Sequence, residues 1–434
     1  MFEAVPAGET GPAAAGVFEL KIGHYEQIIT PEIGCTLAGY GANDVAVRIH
    51  DDLKACVLLL DDGAAKAAVI SYDLLGMDEP ISRKLRKDAA DILGCPEANV
   101  ILTCTHTHNG PHLRSRGPHR ADMAYAEKLY AWSALAVRKA MAAWREADVY
   151  FYSCRCDQNH NRRYVDGSNV CKGTPGRRTM ETLVTEYTDQ ELGMLIFTEP
   201  GSGHPAGFLL NYAAHPLASH APGLGSHQIS ADYPGALRAI MEDNSGWCVF
   251  TDGAAGDIFP KDSECGWESA VRCASGIAVQ AMRGVCDACR NKAQYQLVEP
   301  KIKASIVPLK LKRRVDRRAD QPALPVYDGK PALDAELQLL ALGDICLVGV
   351  PGELLAEVGL MMKWCSPFRK TFILYNSTDY AGYFCHPNAF VSKGFEFNGA
   401  LFVSLSGFKL LEAAVKNMYR LRGDEFEKEL EDLH

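Results

Sequence analysis

A single α/β unit of mixed β-sheets flanked by helices is the fold the sequence predicts. Three observations carry it. Apolar runs rich in β-branched residues alternate with amphipathic helical stretches. No internal repeat and no long linker divides the chain. Its 434 residues, 47% of them hydrophobic, are enough to bury one large core. The domain accordingly runs 1–434, with a core at about 20–405 and a C-terminal helix at 407–430.

Residues 17–30 and 54–73 read as strands, and within the latter Ala55–Leu60 and Ala67–Tyr72 flank Asp61-Asp62-Gly63, a hairpin signal. Pro80–Leu93 is an amphipathic helix closed by Gly94. The strand at 99–104 runs into His106, and an Ala-rich helix, Ala121–Ala147, precedes strand Val149–Cys154. From Arg155 to Thr188 the chain is polar, Gly-rich and basic, and loops of that length are uncommon unless functional. Strand Gly207–Tyr212 leads to His215-Pro216, and Asp232, ahead of Tyr233-Pro234, suits a helix N-cap. Strand Trp247–Thr251 enters the loop Asp252-Gly-Ala-Ala-Gly-Asp257, and Ser269–Arg290 is helical. A second hairpin, Glu336–Leu342 and Ile345–Val350, turns at Gly343-Asp344, and its exit, Pro351-Gly352-Glu353, opens a helix. Strand Lys370–Asn376, a Gly- and Tyr-rich loop through Tyr383 and a helix from Phe408 complete the chain.

A net charge of −9 argues against a general nucleic-acid or membrane-surface binder. Met1-Phe-Glu-Ala-Val-Pro has neither the basic nor the apolar region of a signal peptide, and no 18-residue apolar run could span a bilayer. Fifteen cysteines without a secretion signal read as reduced thiols in a cytoplasmic protein. Cys286-Asp-Ala-Cys289 lacks the second CxxC that a structural zinc site needs, and Cys154 and Cys156 fit the core. The expected partner is a small-molecule substrate, with homo-oligomer formation left open.

The segment Asn99-Val-Ile-Leu-Thr-Cys-Thr-His106-Thr-His108-Asn-Gly-Pro111 reads as a buried strand, then a turn. The period of two points both imidazoles to one side of the strand end. Neutral imidazole is the commonest protein ligand of first-row metals, although two hydrogen-bonded histidines in a turn give the same pattern. Other polar residues share that position type: His215, Asp257, Glu353 and Tyr383 each lie beyond a predicted strand. Loops at strand ends converge on the ligand site in α/β proteins, and two or three nitrogens with one carboxylate suit catalytic zinc.

Thr105-His-Thr-His108-Asn-Gly-Pro111 closely resembles the Thr-His-Thr-His-Ser-Gly-Pro signature of the neutral/alkaline, non-lysosomal ceramidase family. Further segments fit in the same order: Val69-Ile-Ser-Tyr-Asp73-Leu-Leu-Gly76, Asn159-His-Asn-Arg162-Arg163, and Asn211-Tyr-Ala-Ala-His215-Pro216. Ser230-Ala-Asp232-Tyr-Pro-Gly235, Gly253-Ala-Ala-Gly-Asp257-Ile-Phe-Pro260 and Gly349-Val-Pro-Gly-Glu353 follow, so the resemblance spans roughly 20–405. It implies that His106, His215, Glu353 and Tyr383 hold zinc and that His108 is the general base or proton shuttle. It also implies that Arg162 lies in the substrate pocket. The chain departs from the family at Phe259, where a serine precedes the proline, and at Phe395, which aligns with a tyrosine that stabilises the oxyanion. Nothing in the sequence corresponds to the family's C-terminal immunoglobulin-like domain.

A zinc-dependent hydrolase acting on an amide or ester bond follows from that resemblance and from the chemistry of such a ligand set. Asp73, Asp232 and above all Asp257 are candidates for fixing the histidine tautomers. Basic residues crowd the two flanking loops: His112, Arg114, Arg116, His119 and Arg120 in one, Arg162, Arg163, Lys172, Arg177 and Arg178 in the other. They suit a small, soluble, anionic substrate better than a membrane lipid, although a solvated charged loop is the simpler alternative. A metal-dependent lyase or isomerase with His108 as base, a true ceramidase, and an inactive metal-binding homologue are the rival readings.

Overall fold

Two β-sheets lie face to face in the computed structural model, with helices on both outer surfaces; it describes residues 20–39, 44–115, 120–165, 184–185, 187–201, 203–219, 227–263, 266–314 and 332–423. The larger sheet contains β1 (Leu20–Ile28), β2 (Lys54–Asp61), β3 (Lys66–Tyr72), β4 (Val100–Cys104), β5 (Arg145–Arg155), β6 (Glu191–Thr198), β7 (Pro205–Tyr212) and β8 (Trp247–Asp252). Its strand order is β8-β7-β6-β5-β1-β2-β3-β4. The smaller sheet runs β9 (Ile302–Lys312), β10 (Ala332–Leu342), β11 (Ile345–Gly349) and β12 (Lys370–Leu374) in sequence.

Burial on both faces explains why β2 reads as an unbroken apolar run. Leu58 and Leu60 face the second sheet, against Leu340, Leu347 and Phe372, while Val57 and Leu59 face the helices. Those helices are α1 (Glu79–Leu93) and α2 (Met123–Met141), which lay Leu85, Ala89, Leu129 and Val137 on the sheet. Each such leucine or valine side chain contributes about 1.5–3 kcal/mol through burial. On the rest of the larger sheet α3 (Asp232–Ser245) and α4 (Trp267–Arg290) do the same, and α5 (Ala356–Trp364) and α6 (Ser406–Arg422) cover the smaller one.

Within these two sheets most neighbouring strands are antiparallel, but three pairs are parallel: β3–β4, β7–β8 and β11–β12. Buried polar side chains tie these three pairs to one another. Ser71 Oγ on β3 donates to Phe250 O on β8 (2.6 Å), and Asn211 Nδ2 on β7 donates to Ile373 O on β12 (2.8 Å). Thr103 Oγ1 on β4 donates to Tyr375 O just past β12 (2.9 Å). The carboxyl ends of all three pairs therefore open onto one place, which is where the expected site residues lie.

The expected mixed α/β architecture is present, with local differences. The helix expected at Ala121–Ala147 stops at Met141, because Arg145–Arg155 is needed as a strand between β6 and β1. Strands β6 and β9 were not anticipated; β9 is a half-exposed edge strand that tolerates Pro308. Glu353 does not open a helix: Glu353–Leu354 pairs as a short strand with Tyr383–Phe384, and α5 starts at Ala356. Asp232 is the first helical residue of α3 rather than its cap, and its carboxylate accepts from the Ala218 and Ser219 N–H groups. The C-terminal helix is Ser406–Arg422, and 424–434 lie outside the described residues.

Candidate metal centre

His106 leaves β4 in a left-handed conformation (φ 67°), which costs a non-glycine residue about 1–2 kcal/mol. That turn aims the ring back across the strand ends, where Nδ1 donates to Leu75 O (2.6 Å) with the Asn376 amide beside it (2.8 Å). His215, beyond β7, donates Nδ1–H to Ala255 O (2.6 Å). A carbonyl can only accept, so both rings carry the proton on Nδ1 and keep a lone pair on Nε2. Burial holds His106 neutral, pushing its pKa down to about 3.

Both Nε2 atoms point at the same carboxylate oxygen. Glu353 Oε2 lies 3.6 Å from His106 and 3.3 Å from His215, is buried, and has no hydrogen-bond partner. Burial alone would raise the Glu353 pKa, but His106, His215 and the Tyr380 hydroxyl hold it well below the usual range. A carboxylate oxygen and two imidazole lone pairs facing one another repel unless a cation sits among them. The donor set, two nitrogens and one oxygen, is the one zinc takes in catalytic sites.

His108 stands beside this group. Its ring centroid is 4.9 Å from that of His106 and 5.8 Å from that of His215, and the metal-capable nitrogens of the three histidines fall within 4.8 Å of one another. This is the one His/Cys/Asp/Glu group among the described residues arranged to hold a metal, so Cys286 and Cys289 form none. Burial and the two neighbouring imidazoles keep the pKa of His108 well below its ordinary value, leaving the ring neutral. Gly39 makes room for it, since a Cβ there would lie 2.2 Å from His108 Nδ1.

The tyrosine that meets Glu353 is Tyr380, three residues before the expected Tyr383. Its hydroxyl donates to Glu353 Oε1, and its ring stacks 6.0 Å from that of His106. The Tyr383 hydroxyl instead accepts from Arg162 Nη2 (3.3 Å). Two tyrosines in one Tyr-Ala-Gly-Tyr turn look alike in sequence, and glycines do not separate them: a Cβ at Gly76 would lie 2.7 Å from the Tyr380 ring and one at Gly399 2.4 Å from the Tyr383 ring.

Arg162 is buried, as the substrate-pocket expectation needs, but its charge is already committed. Nε donates to Glu396 Oε1 (2.6 Å) and Nη2 to Gly256 O (2.9 Å), while Arg163 Nη1 donates to Glu396 Oε2 (2.5 Å). Arg162 also lies against Phe259 (4.7 Å) and Phe395 (5.0 Å), the two positions where the chain departs from the ceramidase pattern. Sequence reasoning missed Glu396, which sits between two phenylalanines in a short helical turn, Phe395–Gly399, without any signal.

Asp257, Asp73 and Asp232 do not hold the histidine tautomers; Leu75 O and Ala255 O do. Asp257 accepts from Ala356 N (2.8 Å) and Asn161 Nδ2 (2.9 Å), binding the start of α5 to the Arg162 loop. Asp73 forms a two-pronged buried ion pair with Arg238 and accepts from Thr105 Oγ1 (3.2 Å), bracing the turn that carries His106. Of the basic residues in the flanking loops, Arg116, His119, Lys172, Arg177 and Arg178 lie outside the described residues, and Arg120 is exposed.

No protein-family model and no curated protein sequence matches the chain. Solved structures do. Neutral ceramidase from Pseudomonas aeruginosa superposes with a TM-score of 0.74 over 93% of this chain and 75% of that one, at 15% identity. A ceramidase complexed with C2 gives the same TM-score and identity, over 93% of this chain and 76% of its own. The chain has a neutral ceramidase-like fold. In that fold the three parallel strand pairs carry the imidazole and carboxylate residues described above. Among the described residues no helix is long and apolar enough to cross a membrane.

Proposed function

We propose that this protein is a zinc-dependent hydrolase that cleaves an amide or ester bond of a small, soluble, anionic substrate. One observation carries the reading: the convergence of the two Nε2 lone pairs on the unpartnered Oε2 of Glu353. His106, His215 and Glu353 would hold the metal, with Tyr380 against the carboxylate. Zinc in such a site supplies Lewis acidity and brings the pKa of water to about 7. His108, neutral and beside the cluster, takes the proton of the attacking water and returns it to the leaving group. The likeness to ceramidase structures supports this reading, since ceramidases are amide hydrolases.

The test is elemental analysis of chelator-free protein, followed by a panel of soluble amides, esters and lactones assayed in ¹⁸O-labelled water. About one zinc per chain, and chelator-sensitive turnover that puts ¹⁸O into the product acid, is the expected result. Product without label makes the protein a lyase or isomerase. Efficient cleavage of long-chain ceramide in detergent makes it a ceramidase, and metal without turnover on any substrate makes it an inactive homologue. Metal-free protein sinks the reading altogether.

A further inference from the structure

A second arginine near the cluster is held quite differently from Arg162. Arg114 follows the His-x-His turn and is buried, with 7% of its surface exposed. Its guanidinium carbon sits 3.8 Å over the centre of the Tyr380 ring, the ring whose hydroxyl meets Glu353. Nε and Nη1 are both buried and neither has a hydrogen-bond partner. Asp78, the carboxyl that feels its charge, gives Oδ2 to Ser115 N–H (2.8 Å) instead. A guanidinium cannot lose its proton to escape burial, so open donors in the interior call for an anion. Stacking on one face leaves the fork's edge free for one.

We propose that Arg114 is the receptor for an oxyanion on the substrate, so that the enzyme acts on amides or esters bearing a carboxylate or phosphate near the scissile bond. This rests on the hydrolase reading above and names the substrate class for it. The Arg162–Arg163–Glu396 cluster, whose guanidinium donors already meet a carboxylate, supports the fold around the site instead.

Three matched probes test it on the zinc-loaded full-length chain: an N-acyl amino acid, its primary carboxamide, and the corresponding N-acyl phosphoethanolamine. Each is measured by calorimetric binding and by hydrolysis. Wild type should favour one of the two anions over the carboxamide by roughly ten- to a hundredfold, as loss of a charge-assisted contact implies. Which anion wins identifies the oxyanion. R114Q should bring the ratio close to one, and R114K, which keeps the charge without the flat fork, should retain only part of it. The ratio is what decides, because a purely structural arginine would weaken all three probes alike. Metal-dependent cleavage with no preference for an anion, or a preference unchanged in R114Q, overturns the proposal and leaves the hydrolase reading standing. If nothing is cleaved, the hydrolase reading is in trouble, and calorimetry still decides: anion binding lost in R114Q upholds the receptor, and no anion binding to wild type overturns it. Should R114Q fail to fold, an unchanged ratio in R114K overturns it.

Discussion

Two clusters of buried ionisable side chains lie near one another in this molecule, and they differ in completeness. In the Arg162–Arg163–Glu396 cluster the carboxylate accepts from both guanidiniums, and Nη2 of Arg162 reaches Gly256 O and the Tyr383 hydroxyl. In the His106–His215–Glu353 cluster the backbone takes the imidazole protons and leaves three lone-pair atoms facing one another. In the first cluster a carboxylate of the chain itself meets both guanidiniums. The second leaves lone pairs that no group of the chain is shown to balance, as a site able to take a cation does.

The largest effect that could break this contrast is on metal content. His106→Ala or His215→Ala should release the metal, read by elemental analysis after dialysis. Retention of a full equivalent in both variants would mean that the facing lone pairs do not form the site. Next in size is His108→Ala, which should keep the metal yet lose roughly 10²–10⁴-fold in turnover, the usual share of a general acid–base group. Metal loss equal to that of His106→Ala would make His108 a ligand and move the base elsewhere.

Glu396→Gln should act on folding rather than on metal. It leaves two buried guanidiniums without their carboxylate, which costs about 3–5 kcal/mol in urea unfolding. A pH dependence accompanies it. Burial by itself would raise the pKa of Glu396, but Arg162 and Arg163 hold it below its ordinary 4.5. A depressed carboxylate stabilises the fold above that ordinary value and loses its contribution as pH falls below it. Wild type should therefore lose stability more steeply than Glu396→Gln on acidification below about 4.5, and parallel curves would contradict the pairing. The smallest effect separates the tyrosines. Tyr380→Phe should weaken metal affinity by about ten- to a hundredfold, as losing a partner of a ligating carboxylate does, while Tyr383→Phe should leave it in place. The reverse outcome would return Tyr383 to the metal.

Much of the site was legible because its residues obey strand-end logic. The apolar run before His106 had to be a buried strand, and a strand end exposes its loop at a sheet edge, so His106, His108, His215 and Glu353 could be picked out one by one. Tyr380 could not be chosen over Tyr383, since both lie in the same short turn and each ring packs against a glycine, Gly76 for one and Gly399 for the other. The crowd of basic loop residues was legible as well, yet it read as one surface. Nothing in the chain around residue 396 announces that Glu396 will meet Arg162 and Arg163 across more than two hundred residues.

By itself the sequence determined the alternation of sheets and helices, the strands that carry the site, and the residue types that suit a cation. Those follow from local periodicity and from side-chain chemistry, which travel with the chain. Tertiary structure alone decided which partners meet: Leu75 O and Ala255 O for the imidazole protons, Glu396 for two arginines, and no described partner for the inner donors of Arg114. Charge balance in a buried site is a sum over neighbours distant in sequence. It exists only after the three parallel strand pairs have been brought together.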